Sequence, residues 1–310
     1  METNSLTIDI VSSALNESSN IEYLYRELEV YLNSSGYIWR LRIADNGSTD
    51  DTWKVIQNLA SKYENVHGYR MSKNFGFEYA IEAVLRESDA DVSIIMASDL
   101  QDHPKFLHLF LKHFELGADH VYQVVENRPG VGPIRRLNTK IFYALAKKFS
   151  RGSVVPNAGD FRLFSRKFRD SLLQMPESTR FLRAMSMYPG FATVAIDVPR
   201  EARSKGKSKS NLFYALTLGI KGVLANSLYL LDAVGIFSIL FSAFSFFATI
   251  VFSILWITVG VPFAGFGTIV GVFLLGFSIV FLCLGLIAQY LSLIYTEVKN
   301  RPHYYIAEVI

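Results

Sequence analysis

The 310-residue chain reads as an α/β domain built on a mostly parallel, Rossmann-like sheet, followed by a C-terminal two-helix transmembrane segment. Three observations predict this. β-branched runs alternate with helical periodicity to about residue 200. Polar clusters stand just beyond three of those runs, and no Asp, Glu, Lys or Arg occurs between Ala233 and Thr296.

Taken in order, Leu6–Val11 is apolar and β-branched, and Ile21–Leu32 has helical spacing. Ile38–Ala44 is a second strand that runs into Asp45-Asn46-Gly47-Ser48-Thr49-Asp50, where Thr49 or Asp50 caps a helix to about Ala60. Val66–Arg70 is a third strand, Gly76–Arg86 a helix, and Val92–Met96 a buried strand ending at Ser98-Asp99-Leu100-Gln101-Asp102. In parallel sheets ligands gather at the carboxyl ends of strands. The polar clusters at Asn16-Glu17, 45–50 and 99–102 fall there.

Composition narrows the function classes. With 50% hydrophobic and 19% charged residues the chain is not disordered. One cysteine, Cys283, excludes an internal disulfide scaffold and a Cys-cluster metal site. A net charge of +3 is too small to argue for nucleic acid, and the six histidines are scattered without metal-ligand spacing, His103 among them as incidental.

A spanning helix needs about 20 apolar residues, so the charge-free stretch holds two. Turn signals at Gly260, Pro262, Gly265 and Gly267 divide it into spans from about Leu230 to Val259 and from about Phe266 to Tyr295. A buried soluble hairpin is the competing reading, but it lacks the usual polar stripe. Lys221 before the first span and Lys299 and Arg301 after the second put both ends in the cytoplasm by the positive-inside rule. The N-terminus shows no signal peptide. The expected organisation is therefore a cytoplasmic domain at 1–210, an interfacial amphipathic or linker helix at 211–229, and two spans with a cytoplasmic tail at 230–310. Small residues such as Gly235, Ser238 and Gly271 suit packing between subunits, so a homo-oligomer is an open expectation.

A carboxylate just past a strand end can hold Mg²⁺ or Mn²⁺, which bridges diphosphate oxygens and offsets charge on a departing nucleotide. Asp99 stands in such a place, with Gln101 and Asp102 beside it. The competing reading is a helix start, Asp102 capping and Pro104 at the first position; both can hold at once.

Asn16-Glu17, DNGSTD at 45–50, SKNFG at 72–76, DLQDHP at 99–104, AGDFRLFSR at 158–166, RSKGKSK at 203–209 and TEVKNRP at 296–302 together resemble the polyisoprenyl-phosphate glycosyltransferases. These are inverting GT-A enzymes of glycosyltransferase family 2, and the bacterial bactoprenol group with two C-terminal spans is most similar. The resemblance covers essentially the whole chain. It implies a GT-A fold, a nucleotide sugar (a UDP-sugar by the bacterial members) as donor, and undecaprenyl or a related polyprenyl phosphate as acceptor. It also implies Mg²⁺ or Mn²⁺, and a multi-pass protein of the bacterial inner membrane that modifies cell-surface glycans such as lipopolysaccharide O-antigen.

By the same resemblance, Asn16, Glu17, Asp45, Asn46 and Ser98 fall on the nucleotide side, Asp99 and Gln101 on the metal, and Asp160 on the catalytic carboxylate. An ion pair between Asp160 and Arg162 or another basic neighbour is the structural alternative. A phosphomonoester acceptor is largely ionised at neutral pH, so Asp160 is either a base or an orienting group. Arg135, Arg136, Arg162, Arg203, Lys205, Lys207 and Lys209 are candidates for the acceptor phosphate. The last four equally suit a basic loop drawn to anionic headgroups.

The chain departs from the family pattern at three points. Ala97 replaces the first Asp before Ser98-Asp99, Asn46 replaces the second Asp before Gly-Ser, and Ser13 replaces the usual Pro. These changes point to a divergent donor preference, or alternatively to a weakened enzyme serving as a membrane-anchored sugar-nucleotide-binding partner.

Overall fold

A computed structural model describes residues 6–125, 155, 157–177, 180–199 and 265–310, with isolated positions between 237 and 258. The chain divides into two units, Met1–Gly222 with Arg301–Ile310, and Val223–Asn300.

The first unit is an eight-stranded mixed sheet in the order β7-β5-β6-β4-β1-β2-β3-β8. Its centre is parallel: β1 (Thr7–Ala14), β2 (Ile38–Asp45), β3 (Val66–Met71) and β4 (Val92–Ile95), joined through α1 (Ser18–Leu32), α2 (Thr52–Lys62) and α3 (Phe77–Arg86). Each strand and helix expected between Leu6 and Met96 lies here, its ends shifted by a few residues. Both faces of the sheet are covered, so the charges that these strands carry inside are paired: Asp9 of β1 holds Arg40 and Arg42 of β2. Ile8, Ile10, Leu41 and Ile43 pack with Leu24, Leu28, Ile56 and Phe110 in one core cluster, and Val11, Ala44 and Tyr69 with Ile81, Val84 and Phe168 in another.

β1 lies between β2 and β4. Beyond β3 the chain therefore crosses back over β1, creating the switch point at whose carboxyl end ligands bind in open α/β sheets.

The remaining strands have weaker sequence signals. After β4 come a 3₁₀ turn at Pro104–Phe106, α4 (Leu107–Glu115) and β5 (His120–Val124). β6 (Ala158–Ser165) then inserts antiparallel between β4 and β5, followed by α5 (Arg166–Leu173), α6 (Leu182–Met185) and β7 (Thr193–Asp197), which is parallel to β5.

Three local expectations change. The Pro104 turn is capped by His103, whose Nδ1 accepts from Lys105 N at 3.2 Å, and not by Asp102. The α2 boundary residue is Asp51, while Asp50 Oδ1 accepts from Thr52 N at 3.0 Å. Residues 301–310, expected as a tail, return to the sheet: β8 (Ile306–Val309) pairs antiparallel with β3, and Glu308 accepts from Trp53 Nε1 at 3.1 Å.

In the second unit, α7 (Phe266–Lys299) runs for 34 residues, about 51 Å at 1.5 Å per residue. Asn300 ends it at φ 42°, a left-handed position that asparagine tolerates. Among the described residues, one helix is long and apolar enough to cross a membrane, its stretch Ile279–Lys299 holding an 18-residue window of mean hydropathy 2.0. Phe273, Phe281, Leu282 and Leu291 along it are exposed. The first expected span and the 211–229 helix lie outside the described residues, isolated positions aside.

Candidate active site

The loops after β1, β2 and β3 are tied together. Asn16 sits at φ 54°, and its Oδ1 accepts from Thr49 N at 2.7 Å while its own N donates to Ser48 Oγ at 2.9 Å. Glu17 N donates to Thr52 Oγ1 at 2.9 Å, and the Glu17 carboxylate accepts from Asn20 Nδ2 at 2.6 Å. Asn46 N reaches Ala14 O at 2.9 Å, and Asn46 Oδ1 takes Phe75 N at 3.0 Å. Gly47, at φ 74°, passes so close to Lys73 and Asn74 that an added Cβ would stand 2.6 Å from their backbone. Three runs that are separate in sequence thus form one rim.

Asp45 ends β2 fully buried. Its Oδ1 accepts from Ser48 N at 3.0 Å, whereas Oδ2 is closed to solvent without a hydrogen-bond partner, and Arg70 Nε stands 4.0 Å away. A buried carboxylate oxygen in that state is an acceptor suited to an N–H donor from a ligand.

Beside β1, Ser98 Oγ donates to Ser13 O at 3.0 Å, which secures the chain beyond β4. The backbone then turns through Leu100 at φ 59°, a left-handed conformation unusual for leucine, with its side chain in the core. This turn brings Gln101 N to Asp99 Oδ1 at 3.2 Å. Strain of this kind collects at binding loops. Among the described residues no group of three His, Cys, Asp or Glu side chains suits a metal. Mg²⁺ and Mn²⁺ complete their shells with substrate phosphates and need only one or two carboxylates. The oxygen donors of Asp99 and Gln101 therefore fit such a cation.

Asp160 lies on β6, two residues beyond the Ile95–Arg162 pair, so continuing that register sets it opposite Ala97. Its ion-pair partner is Arg183 on α6, with Nε on Oδ1 and Nη2 on Oδ2 at 2.6 Å each. A carboxylate gripped on both oxygens is a poor base and a good fixed charge.

Arg162 does not fit the expected phosphate contact. It is 1% exposed, its Nε donates to Gly159 O at 3.0 Å, its Nη1 bonds Ser186 Oγ, and its guanidinium lies over Tyr122. Burial lowers its pKa to about 10, still charged at neutral pH. Beside it, burial and then the Arg162 charge depress the pKa of His120, so that histidine stays neutral. Arg135, Arg136, Arg203, Lys205, Lys207 and Lys209 lie outside the described residues.

Arg183 and Glu78 were not legible as site residues. Glu78 is half-buried, with Oε2 closed off and unpartnered. Burial first, and then the Asp160 charge, push its carboxyl up to about 7. Two acids four residues apart, Glu78 and Glu82, in the otherwise apolar run Phe77–Leu85 were the available signal.

The glycosyl transferase family 2 model matches residues 9–173, which run from within β1 through the parallel core and β6 to the end of α5. The chain belongs to glycosyl transferase family 2. A putative glycosyltransferase of Bacillus subtilis, CsbB, is 32% identical over 97% of this chain and 91% of its own. The SfII prophage-derived bactoprenol glucosyl transferase of Shigella flexneri is 29% identical over 97% of each. Among solved structures, glucosyl-3-phosphoglycerate synthase of Mycobacterium tuberculosis, crystallised with Mn²⁺, UDP and phosphoglyceric acid, superposes with a TM-score of 0.52 at 18% identity, covering 71% of this chain and 77% of that one. This likeness shows the GT-A-like fold. This family 2 glycosyltransferase therefore carries its rim of loops, Asp45, Asp99 and Asp160 at one end of a GT-A-like sheet.

Proposed function

We propose that the protein transfers a sugar, with inversion, from a nucleoside diphosphate, by preference a UDP-sugar, to undecaprenyl or a related polyprenyl phosphate. The reaction takes place on the cytoplasmic face of the bacterial inner membrane. The observation that carries this reading is the union in one chain of a family 2 domain and a 34-residue apolar helix with exposed side chains. A polyprenyl acceptor leaves the bilayer at a cost of about 0.8 kcal/mol per CH₂, so a soluble donor must be brought to it. The bactoprenol glucosyl transferase relative, aligned over nearly its full length, supports the same acceptor. The proposed organisation is a catalytic domain at 1–210 joined by the 211–229 helix to two spans.

Asp45 accepts from the nucleoside through its unpartnered Oδ2, and the interlocked Asn16, Glu17, Asn46 and Ser98 keep that pocket in shape. Asp99 and Gln101 would hold Mg²⁺ or Mn²⁺, which when bound would supply charge neutralisation at the departing nucleotide. Asp160, fixed by Arg183, orients the acceptor side. The acceptor phosphate, with a second pKa near 6, needs little help in losing its proton. Arg135, Arg136, Arg203, Lys205, Lys207 and Lys209 are the proposed contacts to that phosphate.

Purified protein incubated with radiolabelled nucleotide sugars and undecaprenyl phosphate is expected to give a lipid-extractable labelled product that disappears with a chelator. Folded protein that leaves every nucleotide sugar untouched would reject the reading and favour the alternative that Ala97 raises, a sugar-nucleotide-binding partner without turnover.

A further inference from the structure

The segment 303–310 does more than cover an edge of the sheet. Gly68 and Ile310 exchange both backbone hydrogen bonds at 3.0 Å, and Glu308 stands opposite Arg70. Between Arg70 and Met71 the register shifts, the step from Glu308 to Ile306 passing over Ala307. A bulge of this kind bends an edge strand. The segment then runs past the end of β3, where Ser72 N donates to Tyr305 O at 2.9 Å. Ser72 opens the 72–76 loop of the rim.

That loop is held from two sides. Toward β2, Asn46 Oδ1 takes Phe75 N at 3.0 Å. Toward β8, the Tyr305 ring meets the Phe75 ring with centroids 6.3 Å apart and planes at 48°, and Tyr304 packs against the core cluster of Met71, Ala80 and Val84. Aromatic pairs at such spacing attract beyond the area that they bury. The same segment reaches α2, the helix after the 45–50 loop: Glu308 accepts from Trp53 Nε1 at 3.1 Å and from Gln57 Nε2 at 3.2 Å. The two loops already meet at Gly47 with no room for a Cβ, so a small displacement of either is felt by the other.

We propose that segment 303–310 is a support of the donor site and that Tyr305 is its positioning residue: its carbonyl and ring set the 72–76 loop against Asn46 and Gly47, in the arrangement that accepts a nucleoside diphosphate. This inference rests on the reading of the rim as the nucleotide site. Tyr305 meets Phe75 with its ring, so phenylalanine is a close substitute and alanine is not.

The test is calorimetric titration of the full-length protein in detergent with UDP and Mn²⁺, together with steady-state kinetics. Tyr305→Ala is expected to weaken UDP binding about 3- to 10-fold. The KM for nucleotide sugar should rise by the same factor, with kcat and the KM for undecaprenyl phosphate unchanged. Loss of folded protein alone would lower kcat and leave the donor KM where it was. Tyr305→Phe should stay within about twofold of wild type. In a Phe75→Ala background, Tyr305→Ala should add little further loss, because both changes break the same contact. Should Tyr305→Ala not fold, Glu308→Ala, which frees the same strand from α2, is expected to weaken UDP binding in the same way. Unchanged UDP affinity with a lowered melting temperature would make the segment a plain cover for the β3 edge and overturn the proposal. Equal loss in Tyr305→Phe, or additive losses with Phe75→Ala, would overturn it too. If the wild-type protein binds no UDP, the donor reading has failed, and amide hydrogen exchange decides the positioning claim separately. The Ser72 and Phe75 amides should exchange about tenfold faster in Tyr305→Ala and at wild-type rates in Tyr305→Phe; unchanged exchange in both defeats it.

Discussion

Arg183 and Asp160 meet across 23 positions of sequence in a two-pronged ion pair, Nε to Oδ1 and Nη2 to Oδ2, both at 2.6 Å. Both side chains are partly exposed, at 27% and 21%, so the pair contributes less to stability than to geometry. Its position at the open end of the sheet, level with Ala97, matters more.

Replacing Arg183 by Ala is expected to cut kcat about 100-fold, as is Asp160→Asn. Arg183→Lys should recover little, because a lysine ammonium cannot make the two parallel bonds. Initial rates of lipid-linked product formation measure this. Unchanged kcat in Arg183→Ala would show the pair to be a surface ornament.

Gly47→Ala is expected to weaken nucleotide binding about tenfold or more while the protein stays folded. Its Cβ would strike the backbone at Lys73 and Asn74, and its φ of 74° is strained for alanine. Calorimetric titration with UDP reads the effect, with circular dichroism as the control on folding. Wild-type affinity would mean that the rim is dispensable for the donor.

Asp99→Ala is expected to abolish metal-stimulated turnover and to remove the enhancement of UDP affinity by Mn²⁺. Asp45→Ala should lower UDP affinity with or without the cation. Retained Mn²⁺ dependence in Asp99→Ala would assign the cation to other residues.

Burial, and then the Asp160 charge, push the Glu78 carboxyl up from its ordinary value of 4.5 to about 7. With the native pKa raised, the native state binds more protons than the unfolded state between those values, and stability falls as pH rises. The contribution is fully present below about pH 4.5 and lost through about pH 7. Melting temperature in detergent should therefore drop between pH 5 and pH 8 by a few degrees, and by less in Glu78→Gln. Parallel curves for the two proteins would place the titration elsewhere.

The parallel core was legible because its signals are local. Val92–Ile95 is a short run buried on both faces, Ile38–Asp45 interleaves its apolar positions with Arg40 and Arg42, which pair with buried Asp9, and the polar residues that follow the two strands mark the carboxyl ends. The motifs at 16–17, 45–50 and 72–76 were each visible, but their interlocking through Asn16, Asn46 and Gly47 depends on strand order. β8 was not legible: Ile306–Val309 is four residues long, with one half-buried and three exposed side chains, and its pairing with β3 is fixed by partners more than 200 positions away.

The sequence by itself determined the alternating α/β core, the charge-free apolar stretch and the family, because periodicity, composition and ordered motifs are properties of neighbours along the chain. Only the tertiary structure decided that Asp160 belongs to Arg183, that Arg162 turns inward, and that Glu82 pairs with Arg180. Ion pairs and buried acceptors are chosen by distance in space and by the loss of water around them, and neither quantity is written in sequence spacing.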